Sequence, residues 1–312
     1  MRQTCMNMIH LLAKNDPRVV FIASDVSPGL LKEMKQEMPD RYFMEGVSEA
    51  HIVGMAAGLA MEGYVPFVVA IASFITRRCY EQIVLDLCFQ NLPVRLIGIG
   101  GGLNYAPLGP THQTMEDIAI MRALPNMTVV VPCDADEMKR LMPQTLKRPG
   151  PVYIRLAKGF DPIISRDEES FEIGKAIVMR KAKTKKNSVL LISTGVMTTR
   201  ALAAAEQLAS NGVECSVLHV HTVKPLDVDM ICKQALQVQL VVTLEEHSTI
   251  GGLGSACLES LVDRLHPKKL PRIHRIGITD RFSSEYGTQD SLMEHFGLQP
   301  PQISKKVMDL ID

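Results

Sequence analysis

Three side chains in the first 112 residues could support acid–base chemistry or hold a flat ligand: Glu49, Phe74 and His112. Glu49 lies in EGVSEAHIVGMAAGLA (45–60), an apolar helical pattern in which it occupies the first turn. The positive end of the helix dipole favours a carboxylate there, so Glu49 could serve only to start the helix. Its apolar neighbours predict a buried helix, however, and a desolvated carboxyl group can share a proton with a ring nitrogen. The pattern alone leaves both interpretations open.

His112 lies in a glycine-rich stretch, GIGGGLNYAPLGPTHQ (98–113), that follows an apolar strand. Such glycines let the backbone approach a ligand at the carboxyl edge of a parallel sheet, where open α/β folds bind their ligands. A histidine in that position can donate to a substrate oxygen or exchange protons with it. The alternative, of equal weight, is a histidine that braces the loop.

Phe74 lies in ASFITRRCYEQI (72–83), where a strand passes into a helix. Phe74 could be an ordinary core residue, and Arg77 and Arg78 could be ordinary surface residues. Together they would also provide a flat apolar face beside cations, which suits a heteroaromatic ring next to an anionic ligand.

A second glycine-rich stretch, IGGLGSACLESL (250–261), follows the strand LVVTLEE. It hints at a dinucleotide-binding fingerprint, but the G-x-G-x-x-G spacing is not met because Ala256 and Cys257 follow GLGS (252–255). Close packing of a helix on the sheet explains these glycines better than nucleotide binding does. A stand-alone nucleotide-binding protein would need a phosphate loop elsewhere, and the sequence contains none.

The elements that must position these residues have the pattern of an α/β protein. Short runs rich in Val and Ile, bounded by Gly, Pro or Asp, alternate with longer helical segments, which predicts mainly parallel sheets covered by helices on both faces. Residues 159–187 shift toward charge, with a short strand expected in EIGKAIVM (172–179). We predict two consecutive α/β domains, at 1–165 and 188–312, joined by a linker at 166–187; the second domain is the smaller.

Composition excludes several classes of protein. The 34 basic and 34 acidic side chains cancel to a formal charge of zero, so nothing recruits nucleic acid or an anionic membrane surface. The seven cysteines are odd in number and form no CxxC pair, which favours reduced thiols in a cytoplasmic protein. We expect neither a leader sequence nor a transmembrane span.

Taken together and in this order, the segments resemble the carboxyl-terminal half of a transketolase, in the form encoded as a separate subunit. The resemblance covers nearly the whole chain. It rests on GVSEAHIVGMAAGLA, SFITRR and GPTHQTMEDIAIMRALPNM, and in the second domain on VHTVKPLD, EEHSTIGGLGSA and RIGITDRF. It implies a thiamine-diphosphate pyrimidine-binding domain followed by a transketolase carboxyl-terminal domain.

The resemblance assigns roles to individual positions. Glu49 would hydrogen-bond the pyrimidine N1′ and so promote formation of the ylid, and Phe74 would stack on the pyrimidine ring. Ile71, Asp25 and Val26 would line the cofactor. His112 would contact substrate oxygens. Arg78 and Lys158 match positions that hold a substrate phosphate, and Arg2 is a weaker match.

The resemblance also implies a partner. The family binds the diphosphate through Mg²⁺ with a G-D-G motif followed by Asn, and this chain contains no GDG. We therefore expect no metal site in this chain and an obligate second subunit that carries GDG…N. The cofactor would be held across the subunit boundary, with self-association to a dimer and an α₂β₂ assembly.

Two departures from the family pattern bear on the sugar substrate. Leu108 stands where transketolases usually carry an aspartate that reads a donor hydroxyl, and Gly100 replaces a histidine. An apolar side chain cannot accept that hydrogen bond, so a ketose phosphate donor, a modified or deoxygenated sugar and a 2-oxo acid all stay open, with Tyr105 nearby. Transfer of a two-carbon ketol unit to an aldehyde is the leading expectation. The alternatives are the β subunit of a 2-oxo-acid dehydrogenase decarboxylase component, a deoxyxylulose phosphate synthase-like enzyme, or a non-catalytic scaffold subunit.

Overall fold

A computed structural model of the chain describes residues 1–25, 29, 31–159, 161–166, 171–184 and 189–311. The strands are β1 (Val19–Ala23), β2 (Tyr42–Met44), β3 (Val65–Ile71), β4 (Arg95–Ile99), β5 (Thr128–Val130), β6 (Val152–Leu156), β7 (Ile177–Arg180), β8 (Val189–Ser193), β9 (Cys215–His219), β10 (Thr222–Lys224), β11 (Leu240–Ser248) and β12 (Arg272–Ile278). They form two mainly parallel sheets, which confirms the predicted fold class of two α/β domains.

The helices are α1 (Arg2–Asn15), α2 (Lys32–Glu37), α3 (Glu49–Met61), α4 (Tyr80–Gln82), α5 (Asp117–Arg122), α6 (Ala135–Thr145), α7 (Met197–Ser210), α8 (Val228–Ala235), α9 (Leu253–Arg264), α10 (Gln289–His295) and α11 (Pro300–Ile311). Two π-helical segments, Phe74–Arg78 and Ile83–Cys88, flank α4. Among the described residues, no helix combines the length and the apolar composition that crossing a membrane requires.

The first sheet has the strand order β10-β5-β6-β4-β3-β1-β2. Its central strands β1, β4 and β6 are buried at every residue, as expected for parallel strands with helices on both faces. The only antiparallel strand described in this sheet is β10, which pairs with β5 at one edge. Because β10 comes from the second half of the sequence, the two domains share a sheet.

The second sheet has the order β12-β11-β8-β9-β7, with β7 antiparallel to β9. The short strand expected in EIGKAIVM is β7, so part of the stretch predicted as a linker belongs to the second sheet. The exact domain boundaries stay predictions. Each of the seven cysteines is a free thiol, and all except Cys232 are buried.

A buried hydrogen bond ties the domains together. Glu137 on α6 lies 2.9 Å from Nε2 of His219, the last residue of β9, and both side chains are fully buried. Burial alone would raise the pKa of Glu137, but the adjacent His219 ring outweighs it and holds that pKa at about 2. Cys133 completes a trio of metal-type donors, yet its backbone N–H already donates to Glu137 at 2.7 Å. Glu137 therefore bonds both the Cys133 N–H and His219, and this cluster is a contact between the domains.

Candidate active site

The predicted site residues meet at one edge of the first sheet, where parallel strands end together. The registers Ala23↔Val69, Ile71↔Ile99 and Ile99↔Leu156 align the carboxyl ends of β1, β3, β4 and β6. Asp25, Ile71, Gly100 and Lys158 lie at or just beyond these ends; Asp25 is exposed and Ile71 is half-buried. Val26 falls outside the described residues.

Glu49 is the first residue of α3 and is 2% exposed. The predicted burial holds for one face of this helix, where Ile52, Val53 and Ala56 are fully buried; Met55 is half-buried, and His51 and Met61 on the other face are exposed. The carboxylate Oε2 accepts a 2.6 Å hydrogen bond from Nη1 of Arg78, whose side chain is 47% exposed. Glu49 is thus a desolvated carboxylate whose bonded partner is a side chain that can rotate away.

Phe74 and Arg78 are brought together by the π-helical segment Phe74–Arg78. In this wider turn, the guanidinium carbon of Arg78 lies 4.7 Å from the centroid of the Phe74 ring. Cations favour this position over an aromatic face. Isolated π turns recur at functional sites, where they change the direction of a side chain. Arg78 therefore lies over Phe74 while it donates to Glu49.

His112 approaches the other side of this group. Its ring centroid lies 5.0 Å from that of Phe74, at an interplanar angle of 66°. Nδ1 of His112 lies 2.8 Å from Oγ1 of Thr111, and the ring of Tyr105 is 6.3 Å away. The structure thus brings together Glu49, Phe74 and His112, which are 63 positions apart from first to last.

Tyr105 occupies the space that a side chain at position 100 would need. Gly100 has φ +74°, and a Cβ atom there would lie 2.1 Å from Cε2 of Tyr105. The amino group of Lys158 lies 5.2 Å above the Tyr105 ring. Burial raises the pKa of Tyr105, and the nearby charge of Arg2 opposes that shift. Two cations therefore flank a phenol beside His112, and Leu108, 49% exposed, lies on the same loop.

At the glycines of this loop, side chains of the protein itself occupy the space that a Cβ atom would need. A Cβ atom at Gly101 would lie 2.5 Å from Nε of Arg155, and one at Gly102 would lie 2.4 Å from Cδ of Glu246. Each of these glycines, like Gly100 beside Tyr105, leaves space that another side chain of the protein occupies. The close approach is internal and serves to position the loop.

The second glycine-rich stretch packs around the buried carboxyl group of Glu245. Glu245 accepts hydrogen bonds from the backbone N–H groups of Leu253 and Gly254, at 2.7 and 2.9 Å, at the start of α9. A Cβ atom at Gly252 would lie 2.0 Å from Oε2 of Glu245. Burial raises the pKa of Glu245 to about 7. Packing of the helix on the sheet, preferred to nucleotide binding on the sequence, agrees with this geometry.

Sequence reasoning missed the structural roles of Glu245 and Glu246, which are both buried near the end of β11. The available signal was two successive carboxylates at the end of an otherwise apolar strand. A cavity of about 400 Å³ lies beside the site, between the domains, and neither Glu49, Phe74 nor His112 lines it. It is lined by Arg77, Met115, Glu116, Ser248, Ile278, Thr279, Asp280, Arg281 and Phe282.

Comparison with known proteins agrees with this arrangement. Residues 1–160 match the transketolase pyrimidine-binding domain and residues 178–303 match the transketolase C-terminal domain. The chain is 37% identical to the 6-deoxy-6-sulfo-D-fructose transketolase subunit SqwH of Clostridium sp. (strain MSTE9), across 100% of this chain and 94% of that protein. It is 36% identical to the 1-deoxy-D-xylulose-5-phosphate synthase of Microcystis aeruginosa (strain NIES-843 / IAM M-2473), but spans only 46% of that protein's length.

The fold is also similar to that of a solved chain. A structure described as a split gene transketolase, inactive beta4 tetramer, superposes with a TM-score of 0.89 at 32% identity. The alignment covers 99% of this chain and 97% of that one. The similarity therefore extends over both domains and their relative placement.

Proposed function

Because the chain belongs to the transketolase family, we propose that it is the pyrimidine-binding subunit of a thiamine-diphosphate-dependent enzyme that transfers a two-carbon ketol unit from a ketose to an aldehyde. The family match covers both domains, and two of the relatives above are described as a transketolase subunit and a split-gene transketolase. The assignment of residues within the site is part of the proposal.

The observation that carries the proposal is the position of Arg78. Its guanidinium is planar, lies on the face of Phe74 and donates to the buried carboxylate of Glu49. An aminopyrimidine that stacks on Phe74 and hydrogen-bonds Glu49 would use the same flat face and the same acceptor. The side chains present therefore fit this ring, provided that Arg78 rotates toward solvent.

When bound, thiamine diphosphate supplies a thiazolium carbon that stabilises a carbanion. Glu49 would hold a proton between Oε2 and the pyrimidine N1′, and its burial excludes water from that bond. Phe74 and Ile71 would orient the ring from one side. Asp25, just beyond the end of β1, and Val26 would also line the cofactor. Since Nδ1 of His112 is held by Thr111, we assign its Nε2 to exchange a proton with a substrate oxygen.

The substrate end of the site points to an anionic sugar. Lys158 lies over Tyr105 and the charge of Arg2 acts on the same ring, so two cations can hold a phosphate or sulfonate. Arg78 would add a third cation once it leaves Glu49. Leu108 supplies no acceptor for a donor hydroxyl. A relative named for 6-deoxy-6-sulfo-D-fructose supports the inclusion of sulfonated ketoses among the candidate donors.

We further propose that the diphosphate and Mg²⁺ are held by a separate subunit that carries GDG…N, in an α₂β₂ assembly. The absence of GDG from the 312 residues supports this division. The solved split-gene tetramer, described as inactive, is consistent with a chain of this type needing a partner.

Reconstitution tests the proposal. The chain would be purified alone and together with a separately encoded subunit that carries GDG…N, and assayed with ketose phosphates, a sulfonated ketose and 2-oxo acids. We expect turnover of a ketose only with both chains and thiamine diphosphate. Turnover of 2-oxo acids alone would favour a synthase-like reaction, as in the deoxyxylulose phosphate synthases. Full activity of the single chain would contradict the two-subunit assignment.

A further inference from the structure

The residues that would meet the substrate lie on one closed loop. Gly102 and Thr114 exchange both of their backbone hydrogen bonds, at 2.8 and 2.9 Å, so residues 102–114 leave and re-enter the fold at one point. We call this pair of residues the neck of the loop. Tyr105 and His112 lie beyond it, and their position relative to Phe74 therefore depends on how the neck is held.

The carboxyl-terminal domain holds one side of the neck through Glu246, the residue after Glu245 on β11. Oε1 of Glu246 accepts the backbone N–H of Leu103 at 2.7 Å and Nε2 of Gln289 at 2.9 Å. Glu246 is 2% exposed, and only a glycine at position 102 lets its carboxyl group come so close. Burial raises the pKa of Glu246, and the charge of Arg155 opposes that shift.

Arg155, at the end of the first sheet, connects this contact to the other side of the neck. Its Nη2 donates to the carbonyl oxygens of Thr114 and Glu246, at 3.2 and 2.8 Å. Its Nε donates to Oδ2 of Asp117 at 2.8 Å. Arg155 and Asp117 are also buried. A buried charge network costs stability when its hydrogen bonds are only partly made. A shift of the neck would break these hydrogen bonds, so the neck has little freedom to move.

We propose that Glu246 is a positioning residue for the substrate: it holds the neck of the 102–114 loop and thereby places His112 and Tyr105 in the active site. The inference rests on the proposed function, in which these two side chains face the sugar. It gives the carboxyl-terminal domain an indirect part in substrate binding, through the 102–114 loop.

The chain contains a matched control in Glu245. This neighbouring carboxylate is also buried but points to the other face of β11, where it accepts the first N–H groups of α9. Both glutamates should matter to stability, and only Glu246 should matter to the loop.

The experiment compares Glu246→Ala, Glu246→Gln and Glu245→Gln in the reconstituted two-chain complex. Glu246→Ala leaves the Leu103 N–H without its acceptor, so we expect the KM for the ketose to rise about tenfold while the affinity for thiamine diphosphate changes by less than about twofold. Glu246→Gln keeps an acceptor oxygen for the Leu103 N–H, so its KM should stay close to that of the wild type. Glu245→Gln should leave the KM unchanged.

Hydrogen exchange in the purified chain gives a readout that does not depend on activity. Amides in the 102–114 loop should exchange about tenfold faster in Glu246→Ala, whereas Glu245→Gln should affect the start of α9 instead. If Glu246→Ala does not fold, Glu246→Asp, whose carboxylate is one methylene short of Leu103, applies the same test.

An unchanged KM in a folded Glu246→Ala or Glu246→Asp variant would overturn the proposal, as would an equal rise in Glu245→Gln. If the wild-type complex turns over no ketose, the proposed function fails. Hydrogen exchange in the loop then still tests whether Glu246 holds the neck. Equal exchange rates in the wild type and the Glu246 variant would show that it does not.

Discussion

Two buried carboxylates, Glu49 and Glu245, each lie at the start of a helix, but their hydrogen-bond partners differ. Glu49 is the first residue of α3, whereas Glu245 is on β11 and lies against the first turn of α9. Glu245 binds the backbone N–H groups of Leu253 and Gly254, which cannot move away without unfolding the first turn of α9. Glu49 binds the guanidinium of Arg78, a half-exposed side chain with several rotatable bonds. One carboxylate is used by the fold, and the other can be released to a ligand.

The difference in partner separates a carboxylate that is bound by the fold from one that a ligand could reach. Both segments are rich in glycine and alanine, and both place an acidic residue near a helix start, where the dipole favours it. Burial does not separate them either, since both are almost fully buried. The identity of the hydrogen-bond donor does, because an exchangeable side chain can be replaced by a cofactor and a backbone group cannot.

The largest expected effect is that of Glu49→Gln. Because the amide cannot hold a proton at the pyrimidine nitrogen, we expect kcat of the reconstituted complex to fall about 10³-fold, within the range of acid–base contributions. The complex should still assemble, as measured by size-exclusion chromatography. Wild-type activity in this variant would contradict the proposal that the enzyme uses thiamine diphosphate through Glu49.

Glu245→Gln should alter the pH dependence of stability and leave kcat unchanged. Burial raises the pKa of Glu245 from 4.5 to about 7, so between these values the folded chain keeps a proton that the unfolded chain releases. The contribution of Glu245 to the free energy of unfolding should therefore fall as the pH rises from 4.5 to 7, by ~3 kcal/mol in total.

Urea unfolding of wild type and Glu245→Gln between pH 4.5 and 7 measures this effect. The difference between the two is the relevant quantity, because burial lowers the pKa of His221 to about 4 and gives an opposite slope up to pH 6.5. Parallel pH profiles for the two proteins would show that Glu245 does not titrate in this window.

Phe74→Ala should weaken binding of thiamine diphosphate about tenfold, because a stacking face and its buried area are lost. Isothermal titration calorimetry of the complex measures the change. Phe89→Ala is the matched control, since Phe89 is 83% exposed and directly follows the second π-helical segment, Ile83–Cys88. Equal effects of the two substitutions would argue against a stacking role.

The smallest effect should come from Arg78→Gln. If the cofactor must displace Arg78 from Phe74 and Glu49, its removal should tighten binding of thiamine diphosphate about threefold. Arg77→Gln is the control, since Arg77 pairs with Glu116 and the carbonyl of Gln113 instead. Weaker binding in Arg78→Gln would indicate that Arg78 itself helps to hold the cofactor.

Most of the fold could be predicted from the sequence because its strands are buried on both faces. Such strands appear as continuous runs of Val, Ile and Leu, as in β4 and β8, and the alternating helices then require parallel connections. The strands β2, β10 and β12 were not predicted. The first two have three residues each, and β12 is exposed or half-buried over most of its length, so none produces an apolar run.

The sequence by itself determined the residue types of the site and its family. Glu49, Phe74 and His112 each stand in a local pattern that could be recognised, and parallel strands bring their segments to one edge. Only the tertiary structure decided that Arg78 lies on Phe74 and that Glu246 holds the loop. Leu103 and Glu246 are 143 positions apart, and no local propensity relates residues at that separation. Their contact depends on how two sheets pack, which determines whether a carboxylate is bound by the fold or available to a ligand.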